Sequence, residues 1–178
     1  MRTIIPQENN PALREMAQVI PLADITSKRI QTLISDMKRL LAKEEHGVAI
    51  AASQVGEAVQ LFVVSGRALA QRSNEEDEDD VEKGTPIMPD QIYINPVLSK
   101  MSRAKKEKHE GCLSIRGKWG MVARAEKATI VAYDETGQKC TRGASGFLAH
   151  VFQHEMDHLA GILYTDKAKK VYDDTEKE

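Results

Sequence analysis

Apolar residues recur at helical spacing after Thr26, where Ile30, Leu33, Ile34, Met37, Leu40 and Leu41 fall on one face with charged and polar residues between them. Thr26 or Ser27 can cap the start and Gly47 supplies a stop, so the pattern predicts a helix whose stripe belongs to a core. Ahead of it, Asn10 to Ile20 has Pro11 at a first helical position and Leu13, Met16, Ala17 and Ile20 at helical spacing, which predicts a shorter helix. The texture then turns small and apolar from Gly47 (GVAIAASQVG), and the β-branched run from Val59 to Val64 predicts a strand. Further strands are expected at IYINPVL, around Cys112, and from Ala128 to Tyr133 ahead of the turn-like Asp134 to Gly137, paired antiparallel. A last helix opens at Ser145, runs through Phe147, Leu148, Val151, Phe152, Met156 and Leu159, and stops at Gly161. The expected class is α+β: N-terminal helices, antiparallel strands in the middle and one helix near the end.

Composition narrows this picture. At 178 residues the chain has the length of one domain, expected over residues 1–167 with a polar tail at 168–178. Seven of the eight residues from Glu75 to Glu82 are acidic, so the stretch 72–90 is expected to be an exposed, flexible insertion. Hydrophobic content of 41 % with only 4 % aromatic places the core on Ile, Leu, Val, Ala and Met. A net charge of -2 argues against a nucleic-acid binder relying on a basic field, so no DNA partner is expected, and no apolar run approaches the roughly 20 residues of a membrane span. The start lacks leader composition, so a soluble, unprocessed chain is expected. Cys112 and Cys140 are too few for a disulfide framework; each is free, buried or a metal ligand.

The chemistry concentrates at His154-Glu155-Met156-Asp157-His158, an HExxH inside the last predicted helix. Residues four apart lie one turn above each other, so both imidazoles can reach one ion while Glu155 points beside them. A catalytic site of this kind needs a third protein ligand and an open position. Cys112, in Glu110-Gly111-Cys112-Leu113-Ser114, is the best candidate, whereas Cys140 follows a turn and reads as an incidental thiol. His46 and His109 read as surface residues, and His150, one turn before His154, can line the mouth of a site. The small residues of GVAIAASQVG let a backbone approach a ligand closely, and the amide of Gln54 can donate to a developing oxyanion.

GVAIAASQVG, EGCLS and QHEMDH, in this order and with these separations, resemble the three motifs of the peptide deformylase family. The likeness extends from NPALREMA through RAEKATIVAYDETG to HLAGILYTD. It implies antiparallel sheets packed around the HExxH helix, and a hydrolase that removes the formyl group from the N-terminal methionine of new polypeptides. It implies Cys112, His154 and His158 as ligands of one divalent ion, Fe2+ foremost, with Zn2+, Ni2+ or Co2+ able to take its place. A water acidified by the metal attacks the formyl carbon, Glu155 acts as general acid/base, and Gln54 and the Leu113 N–H hold the oxyanion. Glu110 and Arg124 match a pair that steadies the cysteine strand. Gly47, Val48, Ala49 and Gly111 meet the extended peptide, and Phe147 and His150 lie near the methionine pocket. The implied partners are a formyl-methionyl peptide or nascent chain and the ribosome, in a bacterial-type cytosol.

Departures from the family pattern are Ala49, where a glycine is usual, and Arg116, where a proline is usual, with Gly117, Lys118 and Trp119 following; Trp119 can line the cleft or simply pack. The tail offers no obvious ribosome-docking helix. Two rival readings are a zinc endopeptidase, disfavoured by the thiolate ligand, and a catalytically altered metal-binding module that binds peptides, disfavoured by the lack of a fourth ligand.

Overall fold

The structure, a computed structural model, describes residues 2–70 and 88–174. Helix α1 spans Lys28–Lys43; Ser27 caps it, its hydroxyl accepting from the Ile30 N–H at 3.4 Å. Ile30, Leu33, Ile34, Met37 and Leu41 are buried as the stripe requires, while Leu40 is only partly covered. The helix ends before Gly47, at Glu44, whose N–H returns to the Leu41 carbonyl.

Strands β1 (Ala49–Ala51), β2 (Leu61–Val64), β3 (Gln91–Met101), β6 (Lys127–Tyr133) and β7 (Lys139–Ser145) form one antiparallel sheet, in the order β1-β2-β3-β6-β7. Strands β4 (Lys105–Cys112), β5 (Ile115–Ala125) and β8 (Val171–Asp173) form a second, also antiparallel, in the order β4-β5-β8. Helix α2, Gly146–Leu159, carries the HExxH and packs on β1, β5, β6 and β7. The short α3 (Tyr164–Lys167) follows it. The chain is α+β, with antiparallel sheets as expected.

The five-stranded sheet is covered on both faces, which explains why all of β2 is buried. Alternate side chains point to opposite sides of a strand. Leu61 and Val63 join Ile50, Ile92 and Ile94 under the α1 stripe, while Phe62 and Val64 join Tyr93, Ile130 and Phe152 on the α2 side. Phe62 stacks on Tyr93 at 4.9 Å and Tyr93 meets Phe152 edge-on at 5.1 Å, so the few aromatic residues fix where α2 sits.

The Asn10 to Ile20 helix does not form. Only Pro11–Arg14 makes a 3₁₀ turn, and the chain then runs extended. Its backbone groups are taken by neighbours: the Ala17 N–H donates to the Leu159 carbonyl at 2.9 Å, Gln18 N–H donates to Ala58 O at 2.8 Å, and Gln18 O accepts from Gln60 N–H at 2.8 Å. Ala17 and Ile20 are therefore buried while Met16 is 72 % exposed, a pattern that helical spacing does not give. Tail residues Val171–Asp173, which have no periodic signal, pair with β5 through register Trp119↔Tyr172. The acidic run Glu75 to Glu82 lies outside the described residues.

Candidate metal centre

β4 ends on Cys112 and β5 begins at Ile115, the two residues being paired, so Leu113 and Ser114 are the two-residue connection of a tight hairpin. A register shift between Glu110 and Cys112 sets Gly111 alone opposite residues 116–119, so the extra residues of the irregularity belong to β5. Trp119 packs over that glycine: a Cβ built there would lie 3.2 Å from the indole ring, and the indole N–H donates to Asp174 Oδ1 at 2.7 Å. Trp119 thus packs on the backbone beside the cysteine and ties β8 to it.

Helix α2 delivers the remaining groups. Gln153 anchors it to β5, its amide accepting from the Ala125 N–H and donating to the Ala125 carbonyl, both at 2.9 Å. With that face pinned, His154 and His158 rise one turn apart, their rings 4.9 Å between centroids. The ligand atoms of Cys112, His154 and His158 all lie within 4.8 Å of one another. Cys112 Sγ is 3.4 Å from His158 Nε2, and Gln54 Nε2 donates to the same sulfur at 3.3 Å. Gln54 is oriented from its other end, where Oε1 accepts from the Ala51 N–H at 2.8 Å.

Glu110 organises the surroundings. Its Oε2 accepts from His154 Nδ1 at 2.8 Å, leaving Nε2 of that ring for an ion. Arg124 donates to both Glu110 oxygens, through Nε at 2.7 Å and Nη2 at 2.9 Å, and through Nη1 to Asp157 Oδ2 at 2.5 Å. Lys167 in turn donates to Asp157 Oδ1 at 2.6 Å. Burial pushes the Glu110 carboxyl up, but its contacts with Arg124, His150 and His154 outweigh this and hold it far below the usual carboxylate range. The Tyr164 ring stacks over His154 with centroids 6.3 Å apart, and its hydroxyl donates to the Lys118 carbonyl at 2.9 Å.

His150 is buried, with Nε2 2.5 Å from Glu110 Oε1 but not aligned as a hydrogen bond. Glu155 is 3 % exposed, and its Oε2 has no hydrogen-bond partner. Burial pushes its pKa up to about 7, where a carboxyl both gives and takes a proton near neutrality. Burial also lowers His154, but the hydrogen bonds with Cys112 and Glu110 override it and push that pKa up to about 10. His158 is held well below its ordinary value by burial and by the neighbouring His154.

A sulfur and two imidazoles on a point where Glu110 draws positive charge fit a divalent cation. Among the described residues no fourth His, Cys, Asp or Glu joins this group, so the set is of the open, catalytic type. Cys140 sits on β7, outside it. His46 is exposed, and exposed His109 packs edge-on to Tyr172. Arg116 is exposed and paired with both Glu44 oxygens, at 2.7 and 3.1 Å, tying the start of β5 to the end of α1.

A family model for polypeptide deformylase matches residues 2–174. The chain belongs to the polypeptide deformylase family. A peptide deformylase of Leptospira biflexa is 35 % identical over 160 residues, covering 90 % of this chain and 84 % of that protein. The structure of a peptide deformylase from Legionella pneumophila matches with a TM-score of 0.76 at 30 % identity, covering 95 % of this chain and 86 % of that one. One from Synechococcus elongatus, in complex with actinonin, matches with a TM-score of 0.75 at 28 % identity, covering 95 % of this chain and 79 % of that one. The enzyme is accordingly a hydrolase that removes the formyl group from newly made polypeptides, and its family is metal-dependent. No described helix is long and apolar enough to cross a membrane.

Sequence reasoning missed Asp157, Tyr164 and Lys167. The one available signal was Asp157 inside the HExxH: a carboxylate on a helix flanked by apolar residues needs a buried cation, and Arg124 supplies it.

Proposed function

We propose that Cys112, His154 and His158 hold one divalent ion, Fe2+ in the working enzyme with Zn2+, Ni2+ or Co2+ as substitutes, and that Glu155 is the general acid/base of formyl-methionyl peptide hydrolysis. The observation that carries this reading is the convergence of the three ligand atoms within 4.8 Å beside a buried carboxyl whose Oε2 has no partner. When bound, the ion polarises the formyl carbonyl and acidifies water. Glu155, unengaged at Oε2, takes a proton from the attacking water and passes it to the amine that leaves. Gln54 Nε2, fixed beside Cys112, and the N–H of Leu113, in the turn next to it, donate to the oxygen that gains charge.

The peptide lies against β1, which is the edge strand of its sheet and so offers free backbone groups for strand addition. Gly47, Val48 and Ala49 lead along this edge, and Gly111 lies on the opposite side of the cleft, beside the cysteine. Phe147 and His150, three residues apart on α2, flank the methionine side chain. Ala49 adds a methyl group at the strand and Arg116 is turned to Glu44, so neither departure from the family pattern removes a group the reaction uses. The setting proposed is a bacterial-type cytosol, with nascent chains on the ribosome as substrate.

The ligand set is tested with the cobalt form. Wild type should show a thiolate-to-cobalt band, and Cys112→Ser should lose it together with most of the bound metal. A band that persists in Cys112→Ser would transfer the ligand role to Cys140.

A further inference from the structure

The two groups assigned to the developing oxyanion sit on separate elements. Gln54 belongs to the 3₁₀ turn Ala52–Val55 that follows β1, and Leu113 to the β4–β5 hairpin turn. Two donors act on one oxygen only while their elements keep a fixed separation, because a preorganised pair costs no reorganisation as charge develops.

Residues 5–10, ahead of α1, are bonded to both elements. The Ile5 N–H donates to the Gln54 carbonyl and the Gln7 N–H to the Ser114 carbonyl, each at 2.9 Å. Between these donors stands Pro6, with φ -57°. Its ring locks that angle and restricts Ile5 before it to extended backbone, so a stiff strut separates the two N–H groups. Further on, buried Asn10 donates from Nδ2 to the Ser53 carbonyl at 2.8 Å. Carbonyls at the end of a short helical turn run out of partners within it, and this stretch supplies donors to those of both Ser53 and Gln54. Beside the Gln7 bond the two segments part around a cavity of about 680 Å³, with Ile4 and Pro6 on one side and Leu113 and Ile115 on the other. Open space offers the hairpin turn no packing atoms on that flank, so the bond to Ser114 is what holds it there.

We propose that residues 5–10 are a positioning clamp whose backbone sets the distance between the Gln54 amide and the Leu113 N–H. The clamp acts through these donors and touches no substrate. The proposal rests on the oxyanion roles given to Gln54 and Leu113 above. Its effect falls on kcat: the donors take up charge that appears only as the formyl carbon is attacked, whereas the peptide is held along β1. Gln7 is exposed, so its contribution lies in the N–H and not in its side chain.

Gln7→Pro tests this. Gln7 opens a 3₁₀ turn after extended Pro6 (ψ 148°), a position that accepts proline, but the new ring carbon takes the place of the N–H and drives the Ser114 carbonyl away. In the metal-loaded full chain, kcat for a short formyl-Met peptide should fall about tenfold, part of the 10²–10³-fold that losing a whole oxyanion donor costs, with KM and bound metal unchanged. Gln7→Ala is the conservative counterpart; it keeps the N–H and should restore wild-type kcat. Pro6→Gly keeps both donors but frees the strut between them, and its kcat should lie between the two. In the zinc form of Gln7→Pro, the NMR order parameter of the Leu113 amide should drop from about 0.85, the rigid value, toward 0.6, while that of Val63 in buried β2 holds. A wild-type kcat in Gln7→Pro, a rise in KM in place of the fall in kcat, or order lost equally at Leu113 and Val63 would each overturn the clamp. Gln54→Ala tests the underlying reading separately. It should cost about 10²–10³-fold in kcat; full turnover there would remove the oxyanion role itself, whereas low turnover there beside an unaffected Gln7→Pro would remove the clamp alone.

Discussion

Replacing Glu155 with alanine is expected to lower kcat for a formyl-Met peptide by about 10²–10⁴-fold, the usual worth of a general acid/base, while bound metal stays near one ion per chain. Glu155 lies between the two histidines in sequence but outside the ligand group, which comprises Cys112, His154 and His158. Its side chain is buried and Oε2 has no partner, so truncation opens a small space without orphaning another group. Folding stability should therefore be kept. Glu155→Gln preserves the shape and removes the transferable proton, and should be nearly as inactive. Kinetics and metal analysis on the same samples check this; an alanine variant that loses metal along with activity would show that Glu155 supports the ligands instead of the proton transfer.

Glu110→Ala should have the largest effect on stability, about 3–5 kcal/mol, because it strips a buried guanidinium of its two-pronged partner. Arg124 would keep Asp157, which places the expected loss toward the lower end of that range. The same change frees His154 Nδ1 and should weaken metal binding by about 10–100-fold, the usual cost of removing a group that orients a ligand. Urea unfolding and metal competition separate the two effects. The pH dependence has a definite sign. Glu110 is held below its ordinary carboxylate value in the fold, so its contribution is present above the unfolded pKa, near 4.3, and is lost progressively as pH falls below it. Glu110→Ala should consequently narrow its stability gap to wild type in acid, and a gap independent of pH would contradict the assigned pairing.

How legible all this is in the sequence depends on whether a feature is set by local spacing. The α1 stripe and the HExxH are read directly, because residues three and four apart share a helix face whatever surrounds them. β2 reads as a strand from its β-branched run, and its complete burial follows once helices cover both sheet faces. Asn10 to Ile20 carries the same helical spacing as α1 but gives its backbone bonds to Leu159, Ala58 and Gln60, a long-range competition that no local pattern reports. β8 is invisible for the same reason: Val171–Asp173 is a strand only because β5 offers an edge and Trp119 reaches Asp174. At the site, the helical spacing gives the imidazole pair, whereas Cys112 enters through a hairpin turn and Arg124 through a strand register with Lys106. Those placements depend on tertiary pairing: Cys112 is reached from the sequence as the better placed of two thiols, whereas the pairing of Glu110 with Arg124 comes from the family resemblance.

The most direct test of the account is hydrolysis of a short formyl-Met peptide by anaerobically purified protein, with bound metal quantified on the same sample. The account predicts turnover with about one ion per chain, lost on chelation and restored by Fe2+. A fully metallated protein that leaves the formyl group in place would contradict it, and would mean that the ligand set has been kept in a cleft that no longer performs the reaction.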